Sequence, residues 1–211
     1  GDSGRLIVTP PIDGKIEVRG RQLRGFSVGP NGFGTFFVVN LDPDVQSFGT
    51  FEGDKTSNNQ AASEGKGVGA YVSFATGASR TVIVKAAISA ISHEQAERNL
   101  QREIGDKSFD TVRTEMEAVW NKLLGRIAIE GATPEQRKTV YTCLYRALKF
   151  PRRLYEYNES GKPFHRSPYD NQVHDGVLYT DNGFWDTFRC AYAFYSIAYP
   201  EQWQEIIQGW V

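Results

Sequence analysis

A β-sandwich followed by α-helices is the fold class this sequence predicts, and three observations predict it. Up to about residue 90 the apolar residues come in short β-branched or aromatic runs separated by Gly, Pro, Asn and Asp. Beyond that point they recur every three and four positions. Helix-start signals, Ser92 with Gln95 and Thr133 with Pro134 and Gln136, stand at the heads of the periodic stretches.

Taken in order, strands are expected over Leu6 to Thr9, Ile16 to Arg19, Phe33 to Val39, Gly69 to Ala75 and Thr81 to Ile88. Gly29-Pro30-Asn31-Gly32 lies between Phe26-Ser27-Val28 and Phe33, so a hairpin is expected there, because Asn-Gly tolerates positive φ. Residues 53 to 67 are rich in Gly, Ser, Asn and Lys and predict an exposed loop. Within them, Gly65-Lys66-Gly67-Val68-Gly69 imitates a phosphate loop only superficially, since it leads into a strand and lacks the helix N-terminus that binds phosphate.

The helical half starts at Ser92, with a helix expected to about Ile104 and His93 on its surface. Phe109, Val112, Met116, Val119, Trp120, Leu123 and Leu124 mark one buried face of a second helix, with Gly125 as terminator. Arg126 to Glu130 reads as a short strand or extended link. A third helix opens on Thr133, with proline at its first position, and ends before Pro151. Residues 151 to 182 are polar and aromatic without a period, long for an idle loop and therefore a candidate binding edge. Another helix is expected from near Phe184 to about Ala198. Pro200 opens a further one, with Trp203, Ile206, Ile207 and Trp210 on one side. Its pattern reaches Val211 without a terminator, so the chain reads as a piece of a longer protein, and its exposed faces predict self-association.

Charge and cysteine usage exclude several functions. The chain has 211 residues, enough to bury a real core, and a formal net charge of −1, which leaves no net basic field for nucleic acid or anionic lipid. No run of about 18 apolar residues is present to span a membrane, and Gly1-Asp2-Ser3-Gly4 lacks the features of a secretion signal. Cys143 and Cys190 fit no zinc or redox spacing and are expected to be buried free thiols, with a disulfide as the alternative outside the cytoplasm.

The richest chemistry lies in Tyr179-Thr180-Asp181-Asn182-Gly183-Phe184-Trp185-Asp186-Thr187-Phe188-Arg189. Carboxylates suit sugar hydroxyls and an aromatic ring suits the C–H face of a pyranose; the same aromatics would also serve as ordinary helix core. Hydrolysing a glycoside takes an acid and, in inverting enzymes, a base about 6.5–9.5 Å away. Asp170, Asp175, Asp181 and Asp186 are the local carboxylates, although aspartates in a polar loop also serve as caps and turn formers. His165 and His174 flank Asp170 and Asp175, a set that could bind metal or simply hydrogen-bond its neighbours. Arg152-Arg153 could pair with an anion or stay solvated.

The string Asp181-Asn182-Gly183-Phe184-Trp185-Asp186-Thr187-Phe188-Arg189, led by Val177-Leu178-Tyr179-Thr180 and followed by Tyr199-Pro200, resembles the signature of the bacterial glycoside hydrolase family 92 α-mannosidases. Ile91 through Leu100, Phe109 through Trp120 with Leu123, and Tyr141 through Arg146 are similar to that family as well. The resemblance implies part of an N-terminal supersandwich domain over residues 1–90, a helical linker over 91–125, and the start of an (α/α)6 toroid catalytic domain over 126–211. It further implies an exo-acting, inverting, calcium-dependent enzyme, with α-1,2 as the leading linkage, that removes terminal mannose from glycans outside the cytoplasm. Trp185 and Asp186 match the contacts to mannose in the reactive subsite, Trp185 as a wall and Asp186 as acceptor from hydroxyls. The family's catalytic acid and base and its calcium ligands match nothing in this chain. Its glycine-rich subsite motif near the start of the sandwich has no counterpart here either. The chain alone is therefore expected to be inactive, a carbohydrate-binding or scaffold fragment being the alternative reading.

Overall fold

The computed structural model describes residues 3–10, 12–42, 44–75, 81–180 and 183–210. The chain divides into two units, Gly1–Asp106 with Arg166–Val173, and Lys107–His165 with His174–Val211. The first holds strands β1 (Ser3–Val8), β2 (Asp13–Arg19), β3 (Gln22–Val28), β4 (Gly34–Asp42), β5 (Ser47–Glu52), β6 (Lys55–Asn58), β7 (Ala62–Gly65), β8 (Val68–Ala75) and β9 (Ile83–Ser89), then helix α1 (His93–Glu103). Two sheets form, ordered β1-β8-β5-β6 and β7-β2-β3-β4-β9, with antiparallel pairing. Because side chains alternate between faces, Ile16 and Val18 of β2, Leu23 of β3 and Val39 and Leu41 of β4 share one face. They meet Ala70, Val72 and Phe74 of β8 in a single core. This is the sandwich expected from the sequence.

The turn at Gly29–Gly32 forms as anticipated. Val28 pairs with Gly34, Gly32 takes φ 78°, and the Asn31 side chain accepts a hydrogen bond from the Phe33 N–H at 3.2 Å. Residues 53 to 67 correct the reading of the sequence, since they contain β6 and β7 rather than an exposed loop. Both are edge strands of their sheets, so little of either strand is buried and no apolar alternation is written into them. Gly65 to Gly69 is the turn from β7 into β8, with Gly67 at φ 62°.

The outer face of the five-stranded sheet is partly covered by α1. Val38 of β4 packs with Ala96 and Leu100, flanked by Ala87 and Ile104. Ser92 caps the helix, its hydroxyl accepting from the Gln95 N–H at 3.1 Å. His93 is half-buried rather than superficial, because the first turn lies on the sheet: its ring stands edge-on to Phe36 with centroids 5.0 Å apart. Burial, and then the nearby Arg24, hold its pKa below the usual imidazole value. On the same sheet Glu17 meets Lys15 at 3.3 Å, Arg19 at 3.0 Å and Arg24 at 3.1 Å. Burial alone would raise the Glu17 pKa, but the hydrogen bonds from Arg24, Lys15 and Arg19 outweigh it and bring it to about 2.

The second unit begins with α2 (Phe109–Leu124) and α3 (Pro134–Ala147). Thr133 forms the complete capping box with Gln136, and Pro134 occupies the first turn. Residues 126–133 form an extended link without a strand. Gly125 ends α2 with φ −70°, so its role is spatial rather than left-handed: a Cβ there would lie 2.7 Å from the Asn121 carbonyl oxygen. The expected buried face of α2 is only partly packed. Trp120 meets Tyr145 at 4.5 Å between ring centroids, and Leu123 and Leu124 join the core. Phe109, Met116 and Val119 are exposed, so the 3.6-residue period specified the helix without specifying a cover for it.

The rest of the unit comprises short strands and short helices. Residues 151 to 182 carry β10 (Arg152–Arg153), β11 (Glu156–Tyr157), β12 (Pro163–Arg166), β13 (Val173–Asp175) and β14 (Tyr179–Thr180). β10 pairs with β14 and β11 with β12. The single helix expected from Phe184 to Ala198 is two, α4 (Phe184–Thr187) and α5 (Ala191–Ala198), followed by α6 (Pro200–Gln208). Leu144, Tyr192, Tyr195, Tyr199 and Ile206 form the core of this unit. Cys143 and Cys190 are free, as expected, but exposed rather than buried. Among the described residues no helix is long and apolar enough to cross a membrane.

Two stability outcomes are expected. Leu23 is fully buried between the sheets, so Leu23→Ala should cost about 3 kcal/mol in urea denaturation. Glu17→Gln should cost about 1 kcal/mol at neutral pH, a discounted figure because its partners are partly solvent-screened. The Glu17 pKa is depressed, so its contribution is present above pH 4.5 and disappears as pH falls toward about 2. Wild type and variant should therefore converge in stability over that window.

Candidate active-site corner

Gly183 starts α4, and its carbonyl oxygen gathers three bonds: the Asp186 N–H at 3.0 Å, the Thr187 N–H at 3.1 Å and the Thr187 hydroxyl at 2.9 Å. α4 is a single turn, and Cys190 stands at the head of the next helix. Phe184 is itself largely exposed, and its ring lies 5.9 Å from Tyr192 and 6.2 Å from both Phe188 and Trp210. Tyr192 in turn stacks on Trp203 at 4.6 Å, giving the corner an aromatic floor.

Trp185 and Asp186 follow on the same turn. Trp185 is 69 % exposed and Asp186 is exposed. The Arg189 guanidinium lies 4.2 Å from the centre of the Trp185 ring, a cation–π contact that covers one of its faces. A carboxylate beside an indole with one face still open can accept hydroxyl hydrogen bonds and support an apolar C–H face.

The segment entering the corner is held from beneath. The Tyr179 N–H donates to the Gly209 carbonyl at 3.1 Å, and its hydroxyl donates to Glu205 Oε1 at 2.6 Å. Tyr155 donates to the same oxygen at 2.6 Å, and Arg153 Nη2 reaches it at 3.4 Å. The anion anticipated for Arg152-Arg153 is thus the protein's own Glu205, met by Arg153. Burial alone would raise the Glu205 pKa; the bonds from Tyr155, Tyr179 and Arg153 outweigh it and hold the carboxylate below its ordinary value. Burial, then the bond to Glu205, pushes Tyr179 up to about 12 and raises Tyr155 as well. A cavity of about 90 Å³ adjoins this cluster, lined by Arg153, Tyr179, Tyr195, Gln202 and Glu205 among others.

Asp170 belongs to the first unit, where its carboxylate accepts from the Gln172 N–H at 2.9 Å in a local turn. Asp175 is exposed on β13. Asp181, with Asn182, lies outside the described residues. His165 and His174 have ring centroids 5.8 Å apart, and His165 Nδ1 lies 3.0 Å from the Gly176 carbonyl oxygen. Among the described residues no three His, Cys, Asp or Glu side chains come together to hold a metal ion. Among the described residues, the side chains therefore supply no acidic cluster of the kind that would hold calcium.

Residues 95–211 match the glycosyl hydrolase family 92 catalytic domain and residues 7–89 match the glycosyl hydrolase family 92 N-terminal domain. The chain belongs to glycosyl hydrolase family 92. Among solved structures it is similar to the family 92 inverting mannosidase of Bacteroides thetaiotaomicron VPI-5482, with 36 % identity and a TM-score of 0.93 over 97 % of this chain and 29 % of that one. It also shares its fold with the family 92 glycosyl hydrolase ccman5, at 24 % identity and a TM-score of 0.81, covering 99 % of this chain and 31 % of that chain. A family 92 α-mannosidase of Bacteroides thetaiotaomicron, solved with mannoimidazole, has the fold too, at 22 % identity and a TM-score of 0.78 over 92 % of this chain and 27 % of that one. The chain thus spans about three-tenths of the length of the solved structures it matches. Comparison with curated proteins gave no match.

Within this family 92 chain, sequence reasoning missed Glu205 and Tyr155. Glu205 reads as one more polar residue of an amphipathic helix, and only the fold brings Tyr155, Tyr179 and Arg153 to it. Arg189 stood in the signature without a role, and its place over Trp185 is a gain of the structure. Because the Asp186 side chain is exposed, Asp186→Asn should change the unfolding free energy by less than about 0.5 kcal/mol in chemical denaturation. A larger loss would make Asp186 a structural residue.

Proposed function

We propose that the protein to which this chain belongs is an exo-acting α-mannosidase that removes terminal α-linked mannose from glycans with inversion, α-1,2 being the leading linkage. In this reading Asp186 accepts hydrogen bonds from hydroxyls of the terminal mannose and Trp185 walls its C–H face. The observation that carries it is the exposed Trp185–Asp186 corner within a stretch matched by the family 92 catalytic domain. The relative at 36 % identity, an inverting mannosidase, supports the substrate class and stereochemistry.

Inversion needs a protonating acid and a water-activating base on opposite sides of the bond. Asp170 is taken up in a local turn and Asp175 is exposed on β13, and the proposal assigns both catalytic carboxyls, and any calcium ligands, to the remaining length of the protein. Placement outside the cytoplasm and self-association of the isolated chain, through Ile207 and Trp210 of the α6 region, belong to the same proposal. A second reading, a fragment that binds hexose without hydrolysing it, is favoured by the open face of Trp185.

In the full-length protein acting on an α-1,2-linked mannobiose, Asp186→Asn should lower kcat/KM roughly ten- to hundred-fold, matching a lost charge-assisted bond of about 1.5–3 kcal/mol. Unchanged kinetics would remove Asp186 from the site. The isolated chain should release no mannose, yet bind it weakly in calorimetric titration, with binding lost in Trp185→Ala. Mannose release by the isolated chain would show that the acid and base lie within it.

A further inference from the structure

The second unit contains a carboxylate that the chemistry proposed above does not use. Glu205 of α6 accepts two phenolic hydrogen bonds of 2.6 Å and meets the Arg153 guanidinium at 3.4 Å on a single oxygen. Three donors on one oxygen are more than helix packing requires. All three come from the segment that leads into the corner: Arg153 and Tyr179 face each other across β10 and β14, and Tyr155 follows two residues after Arg153. The Tyr155 and Tyr179 rings also meet edge-on at 6.1 Å between centroids.

We infer that Glu205 is a positioning residue for mannose binding: by clamping Tyr179 and the β10–β14 pair onto α6, it fixes where the chain enters the turn that presents Trp185 and Asp186. The inference rests on the proposed role of that corner. Tyr179 is doubly tied to α6 and its end, by its N–H to the Gly209 carbonyl and by its hydroxyl to Glu205, and it stands four residues before Gly183 and six before Trp185 in the chain. Close approach is built in as well. A Cβ on Gly209 would lie 2.7 Å from the Tyr179 ring and 3.0 Å from its backbone nitrogen, so the glycine lets β14 sit directly on the end of α6. The other side of the corner is held by the aromatic floor, where Phe184 meets Tyr192 and Trp210. Displacing reacting or binding groups by about 1 Å can cost on the order of a hundred-fold in rate, so a clamp remote from the sugar can still govern how well it is held.

The test uses the full-length protein and mannoimidazole, the ligand carried by a solved family 92 α-mannosidase, with affinity measured by calorimetry and folding by thermal unfolding. Glu205→Leu, which keeps the bulk and removes the acceptor, should weaken mannoimidazole at least tenfold per folded molecule. Glu205→Gln keeps an acceptor for both phenols and should return affinity to within about threefold of wild type. A purely structural residue would lower the unfolding temperature while leaving the affinity of the folded fraction unchanged, and that result would overturn the inference. So would equal loss in the Leu and Gln variants. Asp186→Asn serves as the separate arm: if it retains full affinity, the reading of the corner itself fails. If it loses affinity while Glu205→Leu keeps it, only the positioning role falls.

Discussion

A buried phenol has to find an acceptor, and the second unit is organised around that requirement. Tyr199 donates to the Leu123 carbonyl at 3.0 Å, in the last turn of α2. Tyr195 donates to the Ala147 and Phe150 carbonyls, at and just beyond the end of α3. Tyr141 reaches the Ile127 carbonyl at 2.8 Å. Helix C-termini leave carbonyls without intrahelical partners, and here two tyrosines of the α5 region serve the ends of two earlier helices. Each such bond is worth about 1 kcal/mol net, but leaving either partner buried and unmet would cost about 1–3 kcal/mol. The arrangement therefore specifies position more than it adds stability. Tyr155 and Tyr179 meet the same requirement with a carboxylate, and so fix the approach to the exposed corner.

The sandwich reaches order by a different route. Its core needs only apolar residues on alternating positions of two sheets, and Ile16, Leu23 and Val72 supply them with full burial. The outer face of the five-stranded sheet is treated in two ways. Over β4 an apolar patch centred on Val38 is closed by α1. Over β2 and β3 the face is polar, and the carboxylate of Glu17 is neutralised by three cations. The depressed pKa there follows from charge crowding near the surface.

Much of this was legible in the sequence, and the exceptions share physical causes. Strands such as Gly69 to Ala75 and the helix headed by Thr133 could be read directly, because burial at nearly every position made one a run of apolar and small residues and capping chemistry wrote a punctuation mark before the other. β6 and β7 could not be read, since an edge strand with two solvated sides carries no alternation. The break between α4 and α5 was missed because Phe184 to Ala198 is largely apolar and aromatic and holds no Gly or Pro to mark an interruption. Trp185 and Asp186 were singled out by their likeness to the family signature, which no period of side chains marks. Glu205 escaped because its partners lie 26 and 50 positions away in the chain.

The guanidinium stacked on Trp185 gives the indole two unequal sides. One side is already occupied by a cation and the other is open to solvent, so a flat ligand that leaves Arg189 in place has a single direction of approach. A hexose presents chemically different faces to such a surface, one richer in axial hydroxyls and one in C–H bonds. In the proposed sugar-binding role, such an indole would tell apart the two ways round that a sugar ring could dock, before any hydroxyl meets a carboxylate.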